Sequence, residues 1–273
     1  MTKSNQNIKR LFFGVEVHAP WPQKLPRGRI LDAQYRHMTL VFLGNIDFTV
    51  LTKLLDDLPK PQSNIGEVGY FDSCLALAPR HPNVIAWHAH WLGIGNSLPD
   101  YQKSLAAYLT QCNFHIDGRI WLPHITLCRK PFDIQEWNKA FKPLPFYTGS
   151  LHLYESMEKN IYTPIWSLAM HAPFVEIEHT ADVAFHIRGS TLLQLYYNAF
   201  TALAFKFSPL LEFYKQPEDL HSLDDLIILL NDIISRADMS IGSPLKAVSF
   251  HGALTTIENE TLLWEMIVDV YRS

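Results

Sequence analysis

The chain alternates between strand-like and helix-like spacing of its apolar positions. Residues 10–18 are apolar and aromatic, and Pro20, Pro22 and Pro26 bend the chain after them. Residues 37–43 read as a strand, and 49–58 as an amphipathic stretch. Residues 71–77 and 83–90 predict a strand pair interrupted by the proline-bearing 78–82, because proline and its neighbours break regular pairing. Leu98, Tyr101, Leu105, Tyr108 and Leu109 recur at helical period and predict a helix over 96–112. Strands are expected at 124–129, 149–157 and 164–170. A boundary is expected near His171-Ala172-Pro173, giving one domain over 1–172 and a second over 173–273. In the second, 174–178 and 183–188 predict strands about a turn, and Leu192, Leu195, Tyr196, Ala199 and Leu203 predict a helix over 191–205. A further helix is expected over 223–234, with Asp224 and Asp225 suited to its positive N-terminus. Strands at 246–254 and 262–270 close the chain.

Composition narrows the class. With 273 residues, 48% hydrophobic and 18% charged, the chain has enough apolar material for about two packed domains. Its longest apolar runs are too short to span a bilayer, and no secretory signal pattern opens it, so a cytoplasmic protein is expected. Cys74, Cys112 and Cys128 form no CxxC pair, which argues against a disulfide framework or a thiolate zinc site. Residues 1–173 hold 17 Lys and Arg against 13 Asp and Glu, a net of +4; the remainder hold 6 against 14, a net of −8. Such asymmetry fits two domains with different partners, or ordinary surface variation.

One short repeat carries chemistry: His37-Met38-Thr39-Leu40 and His124-Ile125-Thr126-Leu127. On a strand, residues two apart share a face, so each copy presents an imidazole beside a hydroxyl and turns its apolar residues to a core. Two such strands facing each other would surround one pocket with two imidazoles and two hydroxyls. That set suits phosphodiester chemistry: one neutral imidazole takes a proton, one imidazolium donates one, and hydroxyls bind non-bridging oxygens. Weaker candidates are His88 and His90 as metal ligands on one strand face, and Arg80, His81 and Lys130 as RNA-backbone contacts; packed or solvated roles are the plainer alternatives.

At these motifs the first half resembles the 2H phosphoesterases, and within them the 2′-5′ RNA ligase branch, also called RNA 2′,3′-cyclic phosphodiesterase. The segments that carry the likeness are 10–15, 36–44, 122–129, 153–156 and 162–164. The resemblance implies a two-lobed, pseudo-symmetric fold that hydrolyses 2′,3′-cyclic phosphates at RNA ends and makes or breaks 2′,5′ linkages, without a cofactor. It implies His37 as general acid at O3′, His124 as base for water, and Thr39, Thr126 and Arg129 as phosphate ligands. Cys128 departs from the small residue common there.

In the second half, Glu178, His179, Thr180 and Asp182 cluster in sequence, and Asp269 lies near the other end of the domain. Two carboxylates brought to adjacent strands could bind a hard cation; equally, they are a turn and an exposed strand end. Segments 174–185, 223–232, 246–252 and 268–270 are similar, in order, to archease proteins, which assist the tRNA-splicing RNA ligase. That likeness implies a smaller α/β sandwich, with Asp182, Asp269 and the Val270 carbonyl at a calcium-type site and Lys246 in ligase activation. Only 11 residues separate Ile234 from Lys246, where the family carries tens more. The chain as a whole is thus expected to be α+β: an RNA-end phosphodiesterase joined to an archease-like cofactor domain, with no membrane partner. The alternative is a non-catalytic RNA-end-binding, ligase-activating protein with a trimmed or relict second half.

Overall fold

A computed structural model of the chain describes residues 7–78, 80–93, 97–178, 183–257 and 260–271. The chain order is β1 (Ile8–His18), β2 (Arg29–Ile30), β3 (His37–Asp47), α1 (Phe48–Leu51), β4 (Val68–Leu77), β5 (Val84–Trp91), α2 (Ser97–Gln111), β6 (His124–Arg129), α3 (Ile134–Ala140), β7 (Leu144–Ser156) and β8 (Tyr162–Leu168). There follow β9 (Phe174–Ile177), β10 (Val183–Gly189), α4 (Leu192–Lys206), α5 (Leu223–Ile241), β11 (Leu245–Val248), β12 (Leu254–Thr256) and β13 (Leu262–Val270).

The architecture is mixed α/β with two sheets. In the first, the order β1-β3-β6-β5-β4-β7-β8 returns on itself, because β1 pairs with β7 as well as with β3. The two lobes expected of the first half therefore share one barrel-like sheet. Its weakest joint is between β3 and β6, which pair at the single rung Met38–Ile125. Closure requires close approach at Gly14 on β1, where a Cβ would stand 2.8 Å from the Met38 carbonyl oxygen. Alternation along β1, β3, β5 and β6 sends Phe13, Val15, Met38, Leu40, Trp87, Ile125 and Leu127 into a core beneath α2 and α3. α3 has no counterpart in the expected elements. Asp133 caps it by accepting from Gln135 N–H and Glu136 N–H, and its single buried anchor, Trp137, is too little periodicity to recognise in sequence.

The second sheet runs β11-β13-β10-β9, with β12 also on β13. α4 and α5 cover it, burying Leu195, Phe200, Leu230 and Ile234 against Phe185, Trp264 and Met266. α5 continues to Ile241, past the expected end at 234, and so occupies most of the short interval before Lys246. The strand expected over 246–254 is two strands, because the chain leaves β13 between Val248 and Leu254.

The second core also takes in Val68 and Leu92 of the first half, and Tyr147 packs edge-on to Phe174 at 5.1 Å. At Gly93, with φ of +97°, an added Cβ would sit 2.5 Å from the Tyr197 ring, so α4 lies directly on the first half there. Among the described residues, no helix is long and apolar enough to cross a membrane.

Candidate active site

The rung Met38–Ile125 determines the local geometry. In antiparallel pairing centred on those two residues, His37 lies across from Thr126 and Thr39 across from His124, all four on the face opposite the buried Met38 and Ile125. The two motif strands are thus neighbours in one sheet instead of facing walls. His37, Thr39, His124, Thr126 and Arg129 together line a pocket of about 260 Å³. Trp121 fastens the joint by donating its indole N–H to the Thr39 carbonyl at 2.9 Å.

Both imidazoles are held in the same way. His37 Nδ1 lies 2.8 Å from the Tyr35 carbonyl oxygen, and His124 Nδ1 lies 2.8 Å from that of Leu122. A carbonyl can only accept, so Nδ1 carries the proton in each ring. Nε2 is then the nitrogen that titrates: a base when bare, an acid when protonated. Their surroundings differ. His37 is packed among the rings of Phe12, Tyr154 and Tyr162 at centroid distances of 4.8, 5.2 and 4.7 Å. Burial pushes its pKa down to about 4, and the charges of His124 and Arg129 act in the same direction. Burial also lowers His124, with a contribution from His88 on the next strand.

Arg129 supplies the fixed positive charge. Its guanidinium reaches the Tyr162 hydroxyl at 3.4 Å, while its buried Nε meets no acceptor among the described residues. A buried, unused N–H beside two imidazoles is a site for an anionic oxygen, since leaving it unpaired costs free energy. Arg10, Phe12, Phe42, Ser156 and Tyr162 complete the lining. In the sequence their only signal as site residues is strand alternation. On the same face, Glu16 pairs in register with His37. The neighbouring imidazoles of His152 and His18, at 3.0 and 3.6 Å, hold its carboxyl well below the usual range.

Arg80, His81 and Lys130 lie exposed outside the pocket. Cys128 is fully buried, packed where Gly28 leaves room for its sulfur. His88 and His90 share a strand face, and the fold brings them a carboxylate, Asp72, that no sequence proximity indicated. In the second half, Leu245 pairs with Val270 and Ala247 with Asp269, which places Lys246 in a bulge beside both. Asp182, with His179 and Thr180, lies outside the described residues.

No protein-family model matches the chain, and no curated protein does. Among solved structures, it is similar to E. coli LigT complexed with 3′-AMP, at 19% identity and a TM-score of 0.46 over 60% of this chain and 98% of that one. It is also similar to E. coli LigT in apo form, at 20% identity and 0.44 over 60% and 98%. TT0787 of Thermus thermophilus gives 18% identity and 0.44 over the same shares. These likenesses are too loose to bring a function with them.

Proposed function

We propose that residues 1–172 form a phosphodiesterase that acts on RNA ends, opening a 2′,3′-cyclic phosphate to a 2′-phosphate, with 2′,5′ linkages as related substrates. The observation that carries this reading is the convergence of two imidazoles, each with Nδ1 tied to backbone and Nε2 free, on a buried guanidinium with an unused N–H. Binding of phosphate alone would call for arginine and lysine, not for a matched pair of imidazoles. In the reaction, water attacks phosphorus and the P–O3′ bond breaks. One Nε2 takes the proton from water and the other gives a proton to O3′, leaving a 2′-phosphate and a free 3′-hydroxyl. Thr39, Thr126 and Arg129 bind the non-bridging oxygens, whose charge grows in the transition state.

The 2H resemblance gives His37 the acid role and His124 the base. With no phosphate bound, His37, held to about 4, is neutral at pH 7. The acid role therefore depends on the negative charge of the bound phosphate, which raises the pKa of an adjacent imidazole. The test is hydrolysis of an oligonucleotide ending in a 2′,3′-cyclic phosphate, in EDTA, by wild type, His37→Ala and His124→Ala. Activity that collapses in both variants is the expected result. Full activity in either variant refutes the paired-imidazole mechanism, and inactive wild type that still binds the oligonucleotide leaves a binding module.

For residues 173–273 we propose an archease-like cofactor domain for the tRNA-splicing RNA ligase, on the order of its sequence segments and the placement of Lys246 beside Asp269 and Val270. A calcium-type ion needs six to eight oxygens. The described residues offer the Asp269 carboxylate and the Val270 carbonyl, so the donor set depends on Asp182. Thermal stabilisation by calcium that Asp269→Asn abolishes is the expected outcome. Absence of stabilisation, together with no effect of the chain on ligase guanylylation, would make this half a structural relict.

A further inference from the structure

We propose that the substrate groove continues past His124 into a second subsite, made by Asp72, His88 and His90, that holds the sugar–phosphate backbone of the RNA strand leading to the reacting end. This rests on the phosphodiesterase reading above and extends it from a terminal nucleotide to a strand.

The placement follows from register. His88 on β5 is the direct antiparallel partner of His124 on β6. The two imidazoles therefore leave the same face of the sheet from adjacent strands, about 5 Å apart at their Cβ atoms. On β5 the alternate residues Ile85, Trp87 and Ala89 are buried in the core, so His88 and His90 both point to the groove side. On β4, the partner of His88 is Ser73 and the partner of His90 is Tyr70, with a bulge between Phe71 and Ser73. Asp72 follows the buried Phe71, so strand alternation already turns its carboxylate onto this face, and the bulge keeps Ser73 beside it. Asp72 Oδ1 lies 2.8 Å from His88 Nδ1 and accepts from the Ser73 hydroxyl at 2.8 Å; Oδ2 lies 3.9 Å from His90 Nδ1.

The chemistry follows from which atoms are used. His88 turns Nδ1 to the carboxylate and keeps Nε2 as its free nitrogen, while His90, at 3.9 Å, lies beside the carboxylate without a hydrogen bond to it. The Asp72 carboxylate and the imidazole nitrogens thus present hydrogen-bonding atoms to the ribose hydroxyls and phosphate oxygens of a strand. A metal site is the other use of two histidines and an aspartate. Here Asp72 Oδ1 is hydrogen-bonded to His88 Nδ1, and no three-ligand group is found among the described residues. The side chains of His88, His90 and Asp72 are also 27, 54 and 32% exposed, so core packing does not account for them. Beyond them, the Tyr70 ring lies 4.9 Å from that of His90 and packs against the second half, closing this end of the groove.

The test uses the full chain as wild type, His88→Ala/His90→Ala and Asp72→Asn. Binding of a nucleoside 2′-phosphate and of a short oligonucleotide with the same end is measured across a salt series. Hydrolysis of the matching 2′,3′-cyclic phosphates is measured in parallel. The expected result is that both variants lose about tenfold in preference for the oligonucleotide over the mononucleotide. An unchanged preference, or equal losses on both ligands, overturns the subsite. If wild type binds both but hydrolyses neither, the phosphodiesterase reading fails while the binding comparison still decides the subsite.

Discussion

Acid is expected to destabilise the first half through His37, by an amount that follows from its surroundings. The imidazole lies among the rings of Phe12, Tyr154 and Tyr162, near the Arg129 guanidinium and the His124 imidazole. Protonating it in the folded protein is costly, and its pKa falls from 6.5 to about 4. The unfolded chain takes up the proton at the higher value, so stability is full above about pH 6.5 and is lost as pH falls toward 4. That interval, at about 1.4 kcal/mol per pH unit, corresponds to about 3 kcal/mol. The perturbation is His37→Asn, which leaves no titrating group. Urea unfolding of variant and wild type between pH 7.5 and 4, in buffer free of phosphate, is followed by tryptophan fluorescence. That signal reports mostly on the first half, because six of the seven tryptophans precede residue 173. Wild type should lose about 3 kcal/mol more than the variant on acidification, since other carboxylates, Glu16 included, titrate in both. Parallel curves would refute the claim that this imidazole is held neutral by burial.

Three further outcomes are expected. Because the free-enzyme pKa values of both histidines lie below 6.5, kcat/KM for a 2′,3′-cyclic phosphate should peak below pH 6.5 and decline as pH rises; an optimum above pH 7.5 would contradict the burial argument. Arg129→Met removes the buried donor and should weaken binding of a nucleotide 2′-phosphate by about 10- to 100-fold in calorimetry, with thermal stability retained, as hydrogen bonds between charged partners are the strong ones. Asn231→Ala should cost about 1–3 kcal/mol in denaturant unfolding of the second half. Its amide both accepts from Val248 N–H at 2.7 Å and donates to the Val248 carbonyl at 3.0 Å, and removal leaves those groups unpaired.

Local rules reached much of this protein from the chain alone. The two-residue period of a strand, applied to residues 37–40 and 124–127, placed the imidazoles and hydroxyls on one face and Met38, Leu40, Ile125 and Leu127 on the other, because that alternation needs no information beyond the strand itself. Helical spacing located α2 and α4 for the same reason. Local signal is thin in the seven residues of α3, and tertiary packing lets α5 run on past its periodic stretch. Other features depend on partners distant in sequence. Only the closed sheet joins the motifs at one rung, with residues 38 and 125 drawn together by β1 pairing on both edges. Only burial among rings from three other strand segments moves His37 to about 4. And only the pairing of β4 with β5 brings Asp72 against His88 and extends the polar face beyond His37 and His124. Side-chain alternation is a property of the strand, whereas register, closure and burial belong to the assembled sheet.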